Sequence, residues 1–337
     1  MTIQDLWYRK NFFSYLLWPF SGCYRGVIAL RRCLYRLGIK KTVHFSAPII
    51  VVGNITVGGT GKTPLVIALA QWLKQQGWRP GLVSRGYGGS ATQSPQVVKP
   101  DSDPALVGDE PILLVRKTEC PMVVGKDRVA ATARLLQDYD CNLVISDDGL
   151  QHLALGRDLE IAVIDNERGL GNGFCLPAGP LREPPARLNT VDFVVETIAS
   201  SSSPVGLRGI FFSPPSFQMP FQPGEIYQLI NPSRHLTSGD LHGKTLHAVA
   251  GIGHPQRFFN TLETLGFKII PHAFPDHYFF QPSDLDFGAN SLIILTEKDA
   301  IKCRSFADPR FWCLPISVSL PTIFQISFLK QYLGIKK

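Results

Sequence analysis

Apolar positions fall in short unbroken runs, separated by stretches with helical spacing. The runs are PIIVVG (48–53), RPGLVS (79–84), PMVVG (121–125), NLVIS (142–146), EIAVID (160–165) and VDFVVE (191–196). Between them, LVIALAQWLKQQG, EPILLVRK and RVAATARLLQDY carry apolar residues at helical intervals. Continuous β-branched runs joined by helices predict a parallel sheet covered on both faces. A proline- and serine-rich region at about 199–224 breaks the rhythm and predicts a linker or irregular connection. The rhythm resumes in TLHAVAGIG, PQRFFNTLETLG, FKIIPHAF, SLIILTEKD and WCLPISVSL, which predicts a second, smaller α/β unit. No internal repeat is evident.

The first residues differ. WYRKNFFSYLLWPFSGCY (7–24) is apolar and aromatic, with Arg9 and Lys10 near its start and Arg25, Arg31, Arg32 and Arg36 after it. No small-residue cleavage pattern follows, which argues against a signal peptide. The uncharged stretch is shorter than the roughly 18 residues of a spanning helix, and Pro19 interrupts it. Two readings remain: a segment lying in a membrane interface with its cations at anionic headgroups, or a helix pair packed on the core. The formal charge of +7 suggests an anionic partner. Hydrophobic residues at 45% and charged residues at 18% exclude a disordered chain. The cysteines form no CxxC pair, which argues against structural zinc or a disulfide framework and for a reducing compartment.

Nearly every buried run ends in glycine or charged residues: Gly58–Thr63, Ser84-Arg85-Gly86-Tyr87, Lys126-Asp127-Arg128, Asp147-Asp148, and Asp165 followed by Glu167-Arg168. In an open parallel sheet the carboxyl ends of the strands face one crevice, where ligands bind. These residues are therefore expected to meet in space.

The stretch TVGGTGKT (56–63) matches the phosphate-loop pattern G-x-x-x-x-G-K-[ST] except at Thr56, which replaces the first glycine. It lies between a predicted buried strand and a predicted helix, the context the motif requires. The expected nucleotide contacts are Thr56, Val57, Gly58, Gly59, Thr60, Gly61, Lys62 and Thr63. Lys62 would bridge the β- and γ-phosphates, and the Thr63 hydroxyl would hold Mg²⁺. A second metal anchor is expected at the end of a neighbouring strand, and NLVISDD supplies Asp147 and Asp148. Either can face the metal, the other being left for a second ion or the acceptor. TEKD (296–299) is too far from N-K-x-D to predict guanine recognition. A P-loop ATPase or GTPase switch, or a metallochaperone, is the alternative to a kinase. It gives no reason for the apolar start.

GNITVGGTGKTP (53–64), VSRGYGG (83–89), VGDEP (107–111), SDDGLQH (146–152), LPAGPLREP (176–184), GIGHPQRFF (251–259), FPDH (274–277) and LTEKDAIKC (295–303) occur in this order. The set closely resembles the tetraacyldisaccharide 4′-kinase family of bacterial lipid A biosynthesis, over about residues 45–305. The resemblance implies an α/β fold with a P-loop NTPase-type core over 46–235. It also implies a smaller C-terminal unit over 236–337 and a membrane-associated segment over 1–45. The implied reaction moves the γ-phosphate of ATP, with Mg²⁺, onto the 4′-hydroxyl of a tetraacylated glucosamine disaccharide 1-phosphate, at the cytoplasmic face of the inner membrane. By the same resemblance Asp109 looks like the general base and His277 its orienting partner, with Lys62 neutralising charge. Arg85, Arg128, Arg182 and Glu183 are candidates for the substrate phosphate, the γ-phosphate or a second metal. Neither a nucleic acid nor an obligate protein partner is expected.

Overall fold

A computed structural model describes residues 7–86, 89, 95–198, 213–241, 243–329 and 331. The chain forms β1 (Ile49–Gly53), β2 (Pro80–Ser84), β3 (Gln96–Val98), β4 (Met122–Val124), β5 (Leu143–Asp147), β6 (Leu159–Asp165), β7 (Phe193–Ile198) and β8 (Ser216–Pro223). These are followed by β9 (Tyr227–Gln228), β10 (Thr245–Ala250), β11 (Ile270–Ala273), β12 (Ser291–Thr296), β13 (Phe311–Leu314) and β14 (Ile316–Val318). One sheet has the order β14-β8-β7-β6-β1-β5-β2-β4-β3 and the other β11-β10-β12-β13-β9. The larger sheet is parallel from β8 through β4, with antiparallel partners at each edge. Its central strands β1, β5 and β6 are buried at every position, as their unbroken apolar runs require.

Helix Lys62–Gln75 follows β1 and buries Leu65, Leu69, Trp72 and Leu73 against the sheet. Helix Thr322–Phe328 joins the same core. Its Phe324 and Phe328 meet Phe193 with ring centroids 5.5 and 6.3 Å apart, and Trp72 packs edge-on to Phe328 at 5.4 Å.

Part of the expected linker is a strand. Residues 199–212 lie outside the described residues, but 216–223 form β8, parallel to β7. In SFQMPFQP the residues Phe217, Met219 and Phe221 point inward and the others outward, a strand alternation that the two prolines disguise. The chain passes to the smaller sheet after β8 and returns at β14, which pairs antiparallel with β8.

At the N-terminus, helix Phe12–Leu16 is capped by Asn11 and helix Trp18–Arg36 carries Pro19 in its first turn. Pro19 therefore opens a helix, where its missing N–H costs nothing. The core-facing side presents Ser21, which is buried, and Tyr24, which packs against the apolar core. Ser21 Oγ donates to the Cys175 carbonyl at 2.8 Å and Tyr24 Oη to that of Arg182 at 3.2 Å. The large apolar residues face outward: Phe12, Trp18, Phe20, Val27 and Leu30 are each more than half exposed. Among the described residues no helix is long and apolar enough to cross a membrane.

Candidate active site

β1 ends at Gly53, where a Cβ would lie 2.7 Å from Leu150 Cγ, so only glycine lets the next turn close. The following loop is built by Asn54, whose Nδ2 donates to Thr60 Oγ1 at 3.1 Å and to the Gly58 carbonyl at 3.3 Å. Gly61 has φ 83°, and a Cβ there would meet Phe221 Cζ at 2.7 Å and Thr197 Cγ2 at 2.8 Å. Helix Lys62–Gln75 starts directly after it with no side-chain cap. Its first-turn N–H groups are thus left for an anion. Thr56 sits in a β-bridge to Leu181, not in a left-handed turn, so the first glycine of the phosphate-loop pattern is not needed there.

The same bridge delivers Arg182. Val57 N donates to the Pro180 carbonyl at 2.8 Å and Arg182 N to that of Ile55 at 2.7 Å, so LPAGPLREP runs beside the loop. Arg182 Nη1 then reaches Asp148 Oδ1 at 3.1 Å and Oδ2 at 3.0 Å, and Lys62 Nζ lies 3.4 Å from Asp148 Oδ1. Burial alone would raise the Asp148 carboxyl, but the Lys62 and Arg182 charges outweigh it and hold it at about 2. Its neighbour Asp147, at the end of β5, behaves oppositely. Burial, then the Glu110 carboxylate, push it up to about 7. Asp147 Oδ1 is buried with no hydrogen-bond partner among the described residues. Thr63, Asp147 and Asp148 offer oxygen donors only, the set a hard dication prefers. Among the described residues no group of three or more His, Cys, Asp or Glu could hold a metal. The donor set therefore fits an ion that fills its remaining positions with phosphate and water.

Asp109 opens helix Asp109–Thr118 after Gly108, whose φ is 90°. Its Oδ1 accepts from Glu110 N at 2.8 Å and lies 3.2 Å from His277 Nδ1, a partner 168 residues away. Burial would raise Asp109, but the His277 hydrogen bond and the charges of Lys298, His277 and Lys302 bring it down to about 2. His277 is raised, first by its hydrogen bond to Asp109. Its backbone is left-handed at φ 60°, the kind of local strain that surrounding contacts must hold in place.

Two cavities meet here. One, of about 320 Å³, is floored by the loop 57–63 and roofed by Gly253, His254 and His277 of the C-terminal residues. The other, of about 430 Å³, lies under the N-terminal helix, between Tyr24, Ile28, Arg31 and Arg32 and the strand ends. Val57, Glu110, Asp148 and Arg182 line both. Arg85 and Glu183 line the second. Glu183 is buried, with Gln151 Nε2 donating to it at 2.8 Å and Arg32 Nη1 at 3.5 Å, and with Arg187 Nε 3.4 Å away as an ion pair without a hydrogen bond. Arg128 lines neither cavity; it is 3% exposed and donates to the Gly125 carbonyl at 2.5 Å. Its burial lowers it to about 10 despite the nearby Asp147 and Asp148 charges. Of the strand ends expected to meet, the loop 58–63, Arg85, Asp147 and Asp148 gather around the two cavities and Arg168 reaches the loop at Gly58, whereas Lys126 and Asp127 line neither cavity and Tyr87 lies outside the described residues. Arg168 Nη2 donates to the Gly253 carbonyl at 2.9 Å, and Asp165 pairs with Arg257 at 2.5 Å.

Three contributors escape sequence reasoning. Lys298 pairs with Glu110, Lys302 faces Asp109, and Arg187 binds Glu160 and Glu183. Lys298 and Lys302 lie one helical turn apart within LTEKDAIKC, a spacing that could have been read as one face.

A glycine-rich loop between a buried strand and a helix, a paired carboxylate at the next strand, and two adjoining cavities define a P-loop nucleotide protein built for group transfer. The family model for Tetraacyldisaccharide-1-P 4′-kinase matches residues 13–333. The chain is 53% identical to a Tetraacyldisaccharide 4′-kinase of Coxiella burnetii over 96% of this chain and 93% of that one. It is 49% identical to one of Nitrosococcus oceani over 99% and 96%. A crystal structure of "apo" form LpxK from Aquifex aeolicus in complex with ATP superposes with a TM-score of 0.79. It is 29% identical and covers 96% of this chain and 99% of that one. The chain belongs to the tetraacyldisaccharide-1-P 4′-kinase family.

Proposed function

We infer that this protein is an ATP-dependent lipid A 4′-kinase, transferring the γ-phosphate to the 4′-hydroxyl of a tetraacyldisaccharide 1-phosphate. The observation that carries the reading is the meeting of two cavities at Asp148 and Arg182, one floored by the phosphate loop and one opening under the N-terminal helix. A donor on one side and an acceptor on the other suit in-line displacement.

Residues 56–63 hold the nucleotide phosphates, with Lys62 on the terminal pair. Mg²⁺ would be held by Thr63 and by Asp147 or Asp148, and when bound it neutralises charge on the phosphates. Asp109 accepts the hydroxyl proton and His277 orients it. A carboxylate near 2 is a weak base. Its share therefore lies in aligning the hydroxyl and taking the proton late, as a loose transition state allows. Arg85 and Arg182, in the second cavity, suit the anionic groups of the acceptor, and Arg128 supports the Asp147-Asp148 pair. Glu183 ties Arg32 of the N-terminal helix to Arg187 and Gln151.

The outward aromatics of residues 12–20 and the cations of the following helix support a peripheral seat on the cytoplasmic face of the inner membrane. Residues 1–45 act as the membrane-associated segment, 46–235 as the kinase core and 236–337 as the cover of the nucleotide. Departing from these bounds, β9 (Tyr227–Gln228) already belongs to the smaller sheet and residues 316–328 pack back on the core sheet. The test is incubation with ATP, Mg²⁺ and the disaccharide lipid. A lipid product carrying a new 4′-phosphate is expected, and hydrolysis that ignores the lipid would refute the reading.

A further inference from the structure

Behind the Asp109–His277 pair lies a second, wholly buried layer of charge. Lys302 and Asp299, on helix Glu297–Cys303, have side chains 3% and 0% exposed. Lys302 Nζ lies 2.7 Å from Asp299 Oδ1, a close ion pair whose angles fall short of a hydrogen bond, and 3.7 Å from Asp109 Oδ2. The face of the Phe280 ring, 5.2 Å away, covers the ammonium. Asp299 is fixed through its other oxygen, which accepts from Gly251 N at 2.9 Å and Thr296 Oγ1 at 2.7 Å. Gly251 in turn accepts His277 N at 3.2 Å, so one carboxylate steadies both the loop that carries His277 and the cation that faces Asp109.

The two oxygens of Asp109 are used differently. Oδ1 serves Glu110 N and His277, whereas among the described residues no donor hydrogen-bonds Oδ2, which has Lys302 Nζ 3.7 Å away; the charge of Lys298 acts on the same carboxylate. An ammonium drawn to Asp299 acts on Asp109 as a field and not as a donor. We propose that Lys302, held off by Asp299, is a positioning residue that keeps Asp109 Oδ2 ionised while leaving its lone pairs free for the acceptor hydroxyl. The proposal deepens the assignment of Asp109 as base and rests on it. Other charges face the pair: Glu110 and Lys298 across the helix contact, and Asp276 beside His277 at 3.8 Å. Neither substitution below touches them.

The reporter is His277, whose titration can be followed by NMR of the full-length protein labelled in histidine. Lys302→Met removes a cation from the pair and should raise the His277 midpoint by about half a pH unit or more. Asp299→Asn releases Lys302 towards Asp109 Oδ2 and should lower it by a similar amount, while cutting kcat about tenfold with KM for ATP nearly unchanged. A merely structural pair could shift His277 in these two directions by charge alone, but would not lower kcat in Asp299→Asn at an unchanged KM for ATP; unchanged kcat there overturns the proposal. Asp299→Asn leaves Lys302 paired with Asp109, so it keeps the test intact if Lys302→Met does not fold. Shifts of the same sign, or none, overturn the proposal. Asp109→Asn separates the two levels. Full turnover in that variant removes the base assignment and this proposal together. Lost turnover there, with an unmoved His277 in the other variants, removes this proposal alone.

Discussion

Arg182 grips both oxygens of Asp148 while Lys62 reaches the same carboxylate at 3.4 Å. Two cations on one anion, at the wall shared by both cavities, leave surplus positive charge where a phosphoryl group would cross. Lys62→Ala should therefore cut lipid phosphorylation at least about 100-fold and weaken ATP binding. Assay of 4′-phosphorylated lipid checks this, and intact transfer in that variant would undo the reading of the whole loop.

Asp109→Ala removes the group that His277, Lys298 and Lys302 surround. Turnover should fall about 10²- to 10⁴-fold, while ATP affinity changes little because, among the described residues, Asp109 makes no hydrogen bond or ion pair with the phosphate loop. Single-turnover kinetics and nucleotide titration separate the two effects. A variant with near-normal turnover would leave the proton without this acceptor.

The same pair makes stability depend on pH. Asp109 falls from 3.8 to about 2 on folding. Its contribution of about 2 kcal/mol is present above 3.8 and is lost as pH falls through about 2. His277 is raised above 6.5, so its contribution is complete below 6.5 and fades as pH rises through the folded-state value. The stability gap between the native protein and His277→Gln should therefore be widest in mild acid and narrow in alkali. Urea unfolding from about pH 5 to about pH 9 measures it, and a constant gap would deny the ion pair.

The outward side of the N-terminal helices supplies a fourth expectation. Trp18 is 56% and Phe20 62% exposed. Trp18→Ser with Phe20→Ser should lower binding to anionic lipid vesicles several-fold and raise the apparent KM for lipid, with ATP hydrolysis chemistry unaffected. Flotation with vesicles reads this directly. Unchanged flotation would move the contact elsewhere.

The phosphate loop, the Asp147-Asp148 pair and most strands were legible because each is a local pattern: a glycine turn, or an unbroken apolar run with its polar end. What joins distant segments was not. His277 and Asp109 lie 168 residues apart, and only the order of motifs, through the family resemblance, linked them. Lys302 and Asp299 stood inside a quoted motif, yet nothing local says that helix Glu297–Cys303 packs against helix Asp109–Thr118. β8 was hidden by prolines that signal a break, although the alternation of Phe217, Met219 and Phe221 was present. Pro19 misled in the same way, since proline opens a helix as readily as it ends one.

β8 and β14 lie side by side, and Gly224 N, just past β8, donates to the carbonyl of Pro315, just before β14, at 2.9 Å. The five strands between them thus leave and re-enter the large sheet through a single doorway, its two jambs hydrogen-bonded. Any swing of that roof over the nucleotide must turn about this one point, and the stretch 225–314 reads as a lobe spliced whole into an otherwise continuous sheet.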